Sequence, residues 1–270
     1  LISCTFCLQS YANRRVFQYL HKKYKMLVDY SSSEEEADDD KVQDSVKSFS
    51  KISSENKLPS AIELLGEISR NTYEDVPEEH EGRIRSFGHE RGNWATFCYI
   101  PFDRNEGILK LQTQIKDSAR EELNLQLTEA TDLHISLTKT VILRHHWIDP
   151  FVASLEQRLQ NTRKFPLHLN SLKIYCNEER TRTFVGLTTS EEFFANLKNL
   201  VEKCDESLKE FNLECFYREL SFHVSILWIV GDHQKKLSKL QDNFKGHFLN
   251  ILGQNFDDFE TNVEKILCKC

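Results

Sequence analysis

The chain has 270 residues, 39% of them hydrophobic and 29% charged, with a formal net charge of −7. That is enough apolar chain for one large or two small cores, and no apolar run approaches the roughly 18 residues of a membrane-spanning helix. The acidity excludes nucleic-acid binding by a broadly basic face, so any RNA contact must come from a few cationic side chains around a site.

The charge is uneven. Residues 1–80 hold 10 Lys/Arg against 15 Asp/Glu, and residues 81–270 hold 25 against 27. The chain begins with Leu and its single methionine is Met26, so one expectation is that translation starts there and 1–25 is not native. Its cluster of Arg14, Arg15, Lys22, Lys23 and Lys25 resembles a transit peptide only superficially. Ser31 to Asp40 is an acidic low-complexity run whose like charges repel. Polar sequence continues to about residue 80, relieved by one possible helical turn at Ala61–Leu65. The reading is a mostly disordered acidic tail over 1–80 and a folded domain over 81–270.

Gly82 to Gly92 leads into that domain. Trp94 to Ile100 is rich in aromatic and β-branched residues and reads as a strand. Leu109, Leu111 and Ile115 suit an amphipathic helix over about 105–124. A strand is expected at 131–138, then the segment Val141–Trp147, then a helix over about 148–162. Alternation marks strands from Leu167 to Tyr175 and from Thr183 to Leu187. Ser190 is a candidate N-cap for a helix reaching about Lys209. A strand at 221–230, a helix at 233–249 and a final strand at 261–268 complete the order. Intermixed strands and helices define an α+β class with largely antiparallel sheet.

Two of these strands carry the same pattern. Leu133-His134-Ile135-Ser136-Leu137 and Phe222-His223-Val224-Ser225-Ile226 both read apolar–His–apolar–Ser–apolar, 89 positions apart. Successive side chains of a strand point to opposite faces. Each copy therefore buries an aliphatic row and presents a histidine with a serine about 6.6 Å along. Each copy could be the central strand of its own lobe, with two pseudo-symmetric lobes turning both His-Ser faces into one cleft. Two facing imidazoles can cleave a phosphodiester beside a ribose 2′-hydroxyl. The neutral one takes the nucleophile's proton, and the protonated one gives a proton to the leaving oxygen. Ser136 and Ser225 can donate to the non-bridging phosphate oxygens.

This doubled motif resembles the two-histidine (2H) phosphoesterase superfamily. Three further segments narrow the resemblance to the U6 small nuclear RNA phosphodiesterase family of eukaryotes, over about residues 81–270: His89 to Thr96, Val141 to Trp147, and Lys173-Ile174-Tyr175 through Arg180-Thr181-Arg182-Thr183-Phe184. The resemblance implies a two-lobed fold and a nuclear RNA 3′→5′ exonuclease that uses no metal or cofactor. Its substrate would be the single-stranded uridine-rich 3′ end of U6 small nuclear RNA, and not DNA or membrane. The 2′-hydroxyl would attack, leaving a 2′,3′-cyclic phosphate or a 3′-phosphate, with His134 and His223 as the acid–base pair and the chain acting as a monomer. It also implies nucleobase contact at Tyr217, nucleotide contact at the Asn177-Glu178 turn, and a pocket lined by Ile135 and by Glu219, Leu220, Ser221, Phe222, Val224 and Ser225. Relatives often carry proline where this chain has Leu220.

Other features read as structural. His145 and His146 are adjacent, so they point differently and do not make a shared metal site. Cys98, Cys176, Cys204 and Cys215 stand singly among apolar residues as buried thiols. Cys4-x-x-Cys7 and Cys268-x-Cys270 lack partners at zinc spacing, which fits a reducing compartment. The competing readings are a sister enzyme acting on a small cyclic phosphate or 2′-5′ oligonucleotide, and a catalytically silent RNA-binding module.

Overall fold

Strand pairing dominates the architecture. The computed structural model describes residues 3–7 and 92–270, and among these residues ten strands join in one hydrogen-bonded sheet. In chain order they are β1 (Ser3–Cys7), β2 (Asn93–Pro101), β3 (Thr128–Glu129), β4 (His134–Ser136), β5 (Val141–Arg144), β6 (Phe165–Cys176), β7 (Arg182–Thr189), β8 (His223–Val230), β9 (Glu260–Val263) and β10 (Lys265–Lys269). The spatial order is β1-β10-β2-β4-β8-β7-β6-β9, with β5 on β2 and β3 on β8. Every pairing is antiparallel except β1 with β10. The expected α+β class is therefore observed. The two His-Ser strands, each expected at the centre of its own lobe, are adjacent at the middle of this one path, where β4 pairs with β8.

The principal helices are α1 (Glu106–Leu123), α2 (Ile148–Leu159), α3 (Phe194–Glu210) and α5 (Gln241–Gln254), with a single turn, α4 (Gln234–Leu237), before the last. The Asn105 side chain caps α1 by accepting from the Ile108 amide, and Asn124 closes it in the left-handed conformation. Ile108, Leu111, Ile115 and Ala119 fall on one helical face, and all are fully buried. They join Leu133, Ile135, Val224 and Ile226 in the core, so the helices cover the aliphatic face of β4 and β8. Removing one such buried Leu or Ile side chain costs about 2–5 kcal/mol. Ser154 on α2 donates to Ser207 on α3, and Ser118 of α1 lies 3.1 Å from His247 of α5.

Several elements differ from expectation. The 131–138 strand shortens to three residues. Val141–Arg144 is a strand on β2, and His145–Trp147 a 3₁₀ turn. The helix expected at 233–249 is divided by a 3₁₀ turn at Ser238–Leu240. Ser190 is no side-chain cap: its hydroxyl donates to the Glu192 carboxylate, a 3₁₀ turn follows, and α3 starts at Phe194. The strand expected at 261–268 is two strands. Val263 and Ile266 are both buried with two exposed residues between them, which breaks the period of two. β9 pairs with β6, and β10 pairs with β1 and β2.

Ser3–Cys7, inside the stretch read as a disordered tail, is an edge strand. Thr and Phe favour strands, and the register from Ser3↔Lys265 to Cys7↔Lys269 satisfies its backbone. Met26, the acidic run, the turn at Ala61–Leu65 and the entry segment before Gly92 lie outside the described residues. Cys98 and Cys204 are buried as expected, whereas Cys176 and Cys215 are only half-buried.

Candidate active site

β4 and β8 are neighbours, with Ile135 opposite Val224. Both side chains are fully buried, so the flanking His134, Ser136, His223 and Ser225 occupy the other face of the sheet, where each is half-buried. Continuing the antiparallel register puts His134 across from Ser225 and Ser136 across from His223. The two motifs are thus related by a local twofold through the Ile135–Val224 pair. Each serine sits beside both histidines, one along its own strand and one across. The histidines are diagonal neighbours across the two strands, an arrangement with backbones about 7–8 Å apart.

The main chain fixes both tautomers. His134 Nδ1–H donates to the Asp132 carbonyl at 2.7 Å, and His223 Nδ1–H donates to the Ser221 carbonyl at 2.9 Å. A carbonyl oxygen can only accept, so the proton is on Nδ1 in each ring and Nε2 is left to take or give one. The same bond to the residue two back appears in both copies.

Ring contacts differ. His134 lies edge-on to Tyr99, with centroids 5.2 Å apart, and tilted against Phe97 at 5.5 Å. His223 stacks nearly flat on Tyr175, at 3.8 Å and 15°. Tyr175 also places its hydroxyl 3.2 Å from Ser221 Oγ. Between Tyr175 on β6 and His223 on β8 runs β7, and at the crossing stands Gly186. A Cβ there would lie 2.9 Å from the Tyr175 ring and 3.0 Å from the His223 ring.

Both imidazoles are harder to protonate than free histidine. For His134 the main cause is burial, with Lys269 adding to it; the hydrogen bond to the Asp132 carbonyl opposes. For His223 it is again burial, with His134 and Lys173 adding to it and the Ser221 carbonyl opposing.

Tyr217 is 43% exposed in the loop before β8. Lys139, three residues beyond Ser136, holds its ammonium 4.5 Å from the Tyr217 ring centroid, and its Nζ is 3.5 Å from Glu178 and 3.7 Å from Glu214. The two nucleotide-contact candidates, Tyr217 and Glu178, are therefore joined to the first motif through one lysine. Other candidates separate. Ile135, Phe222 and Val224 are buried, so their side chains point into the core and only their main chain can line the site. Phe222 stacks on Phe216 at 6.3 Å. Ser221 supports His223 as described. Leu220 is half-buried and Glu219 exposed in the same loop, and no described contact joins Glu219 to either motif.

His145 and His146 are exposed, with rings against Trp94 and Trp147. Among the described residues, no three His, Cys, Asp or Glu side chains are grouped to hold a metal ion.

Nothing in the local sequence sets Lys139 or Tyr175 apart by its chemistry. Only Gly186 leaves a local signal: an isolated glycine inside a strand pattern marks a bulge or a close approach. The β7–β8 register does shift between Val185 and Gly186.

Paired His-x-Ser strands at the centre of an antiparallel sheet, each offering Nε2 on the open face, define a two-histidine phosphoesterase-like protein. Residues 56–270 match the family model described as "HVSL: Uncharacterised conserved protein". The chain is 41% identical over 250 residues to the U6 snRNA phosphodiesterase 1 of Xenopus laevis, spanning 90% of this chain and 95% of that protein. It is 43% identical over 182 residues to that of Danio rerio, spanning 67% of this chain and 65% of that one. A solved structure of Kluyveromyces marxianus Usb1 with uridine monophosphate aligns at a TM-score of 0.50 and 11% identity, covering 66% of this chain and 94% of that one, a likeness of fold alone. The chain belongs to the HVSL family by its match over residues 56–270 and to the family of the U6 snRNA phosphodiesterases by its identity to them.

Proposed function

We propose that this chain is an RNA phosphodiesterase that processes the 3′ end of U6 small nuclear RNA, removing nucleotides in the 3′→5′ direction. The observation that carries the chemistry is the pair of imidazoles locked through Nδ1 to main-chain carbonyls, with both Nε2 atoms on one face. One Nε2 accepts the proton of the 2′-hydroxyl as that oxygen attacks the adjacent phosphorus. The other Nε2–H protonates the departing 5′-oxygen. The bond to the leaving nucleotide breaks, and the shortened RNA ends in a 2′,3′-cyclic phosphate. Ser136 and Ser225 donate to the non-bridging oxygens, where negative charge grows in the transition state. The RNA supplies its own nucleophile, so neither serine needs the third, orienting group of an activated hydroxyl.

Tyr217 offers a flat face for a base, which is how single-stranded RNA is commonly gripped. Glu178 lies beside that ring through their shared contact with Lys139, and the resemblance adds the segment from Glu219 to Ser225 to the pocket. Substrate identity is supported by the resemblance to the U6 snRNA phosphodiesterases. On the same reading the enzyme is nuclear, acts as a monomer on single-stranded RNA rather than on DNA, and needs no metal. Membrane association has no part in it, and no helix among the described residues is long and apolar enough to cross a membrane.

The deciding experiment incubates the protein with a uridine-ended U6 RNA in excess chelator and maps the 3′ end. Stepwise shortening with a cyclic or 3′-phosphate end is expected. A 3′-hydroxyl product, or dependence on added metal, would overturn the scheme.

A further inference from the structure

We infer that Tyr175 is a positioning residue for His223, and that Gly186 exists to let the two rings meet. The inference rests on the acid–base reading above. A hydrogen bond from Nδ1 to the Ser221 carbonyl fixes one atom of the imidazole but leaves the ring free to swing about that point. The flat stack on Tyr175, at 3.8 Å and 15°, fixes the plane. A point and a plane together fix the direction of Nε2. Tyr175 reaches the point as well as the plane, since its hydroxyl meets Ser221, the residue whose carbonyl holds Nδ1.

The contact is built across an intervening strand. Gly186 pairs with Ser225 on one side and with Lys173 on the other. Any side chain there would press on the edges of both rings, since a Cβ would already lie 2.9 Å from Tyr175 Cε2 and 3.0 Å from His223 Cδ2. His134 has no equivalent flat stack among the described residues; its aromatic neighbours meet it edge-on or tilted. Catalytic groups lose rate steeply when displaced by an ångström, so a residue that sets ring orientation acts on turnover more than on substrate affinity.

The charged and titratable groups facing His223 are Tyr175 and Lys173 from β6 and His134 from β4; β7 contributes Gly186 and Thr188, which do not titrate. Replacing the Tyr175 ring lets water reach the imidazole, which eases its protonation.

The test compares Tyr175→Leu, Tyr175→Phe and Gly186→Ala in the full chain, using single-turnover cleavage of a uridine-ended RNA against pH and NMR titration of the His223 ring. Tyr175→Phe keeps the stack and is expected within about threefold of the parent. Tyr175→Leu is expected to lower turnover roughly ten- to a hundredfold, to leave KM within about twofold, and to move the His223 titration to higher pH. Gly186→Ala crowds the edges of both rings and displaces them without touching Tyr175's chemistry, and is expected to act in the same direction, so it answers the question should the leucine variant not fold. A folded Tyr175→Leu protein with parental turnover and titration overturns the inference. So does a loss of turnover with the His223 titration unmoved, which would make Tyr175 a substrate contact. An active His223→Ala protein would instead sink the acid–base reading itself.

Discussion

The two halves of the site share a motif and a backbone hydrogen bond, yet they hold their histidines differently. His134 sits on a strand of three residues against the edges of Tyr99 and the tilted ring of Phe97, with Lys269 as its charged neighbour. His223 opens a strand of eight residues and lies flat on Tyr175, with Lys173 and His134 as its charged neighbours. A twofold motif therefore yields a site that is symmetric in what the main chain dictates and asymmetric in what the neighbouring strands contribute. That suits a reaction in which one imidazole must be neutral while the other is protonated.

The largest effects should treat the halves as equals. His134→Ala and His223→Ala are each expected to lower turnover by about 10²–10⁴-fold with little change in melting temperature, because neither ring belongs to the aliphatic core. Since the pair acts as a unit, the double variant should be far less impaired than the product of the two losses. Fully additive losses would show that the two rings work independently. Of similar size is the substrate's own contribution. An RNA with a 2′-deoxy sugar on the 5′ side of the scissile phosphate should resist cleavage there while normal RNA is cut in chelator. Efficient cutting at the deoxy position would point to water or a serine as nucleophile.

The pH dependence should then separate the halves. A bell-shaped profile is expected, because one imidazole must be neutral and the other protonated. Lys269→Ala should shift the His134 titration to higher pH and spare His223, and Lys173→Ala should do the reverse. Both variants moving the same resonance would erase the distinction. Folding stability carries the same signature. Burial lowers the folded pKa of both rings below the unfolded value of about 6.5. Unfolding therefore takes up protons, and stability falls as pH drops from about 6.5 toward the folded pKa values. Urea midpoints at pH 7.5 and 5.5 test this, and substituting both histidines by asparagine should flatten the difference.

The smallest effect concerns the first half's reach toward the substrate. Lys139→Ala should free Tyr217 and Glu178 from the first motif. Exposed ion pairs and cation–π contacts contribute about 0.5–1 kcal/mol, so KM should rise about two- to fivefold with turnover nearly unchanged. A turnover defect as large as that of the histidine variants would place Lys139 at the reacting phosphate instead.

Alternation and spacing alone were enough to make the two His-Ser strands visible, since period-two burial is a local property that sorts His134 from Ile135 and His223 from Val224 without any partner. The same local rule located β2, α1 and most later elements, and it broke at Glu264 and Lys265, where the apolar phase slips and one expected strand becomes two. Three kinds of fact needed the tertiary structure. The adjacency of β4 and β8 comes from long-range strand order, which no local pattern encodes. The Tyr175–His223 stack joins residues 48 positions apart on strands that are not even neighbours, and depends on a missing side chain at Gly186 between them. Lys139 reads in the sequence as one more solvated lysine, and acquires its place beside Tyr217 and Glu178 only when loops from both halves converge. Residue types and their periodicity state which chemistry a strand can present; which side chains hold that chemistry in position is decided by neighbours that only the folded sheet brings within reach.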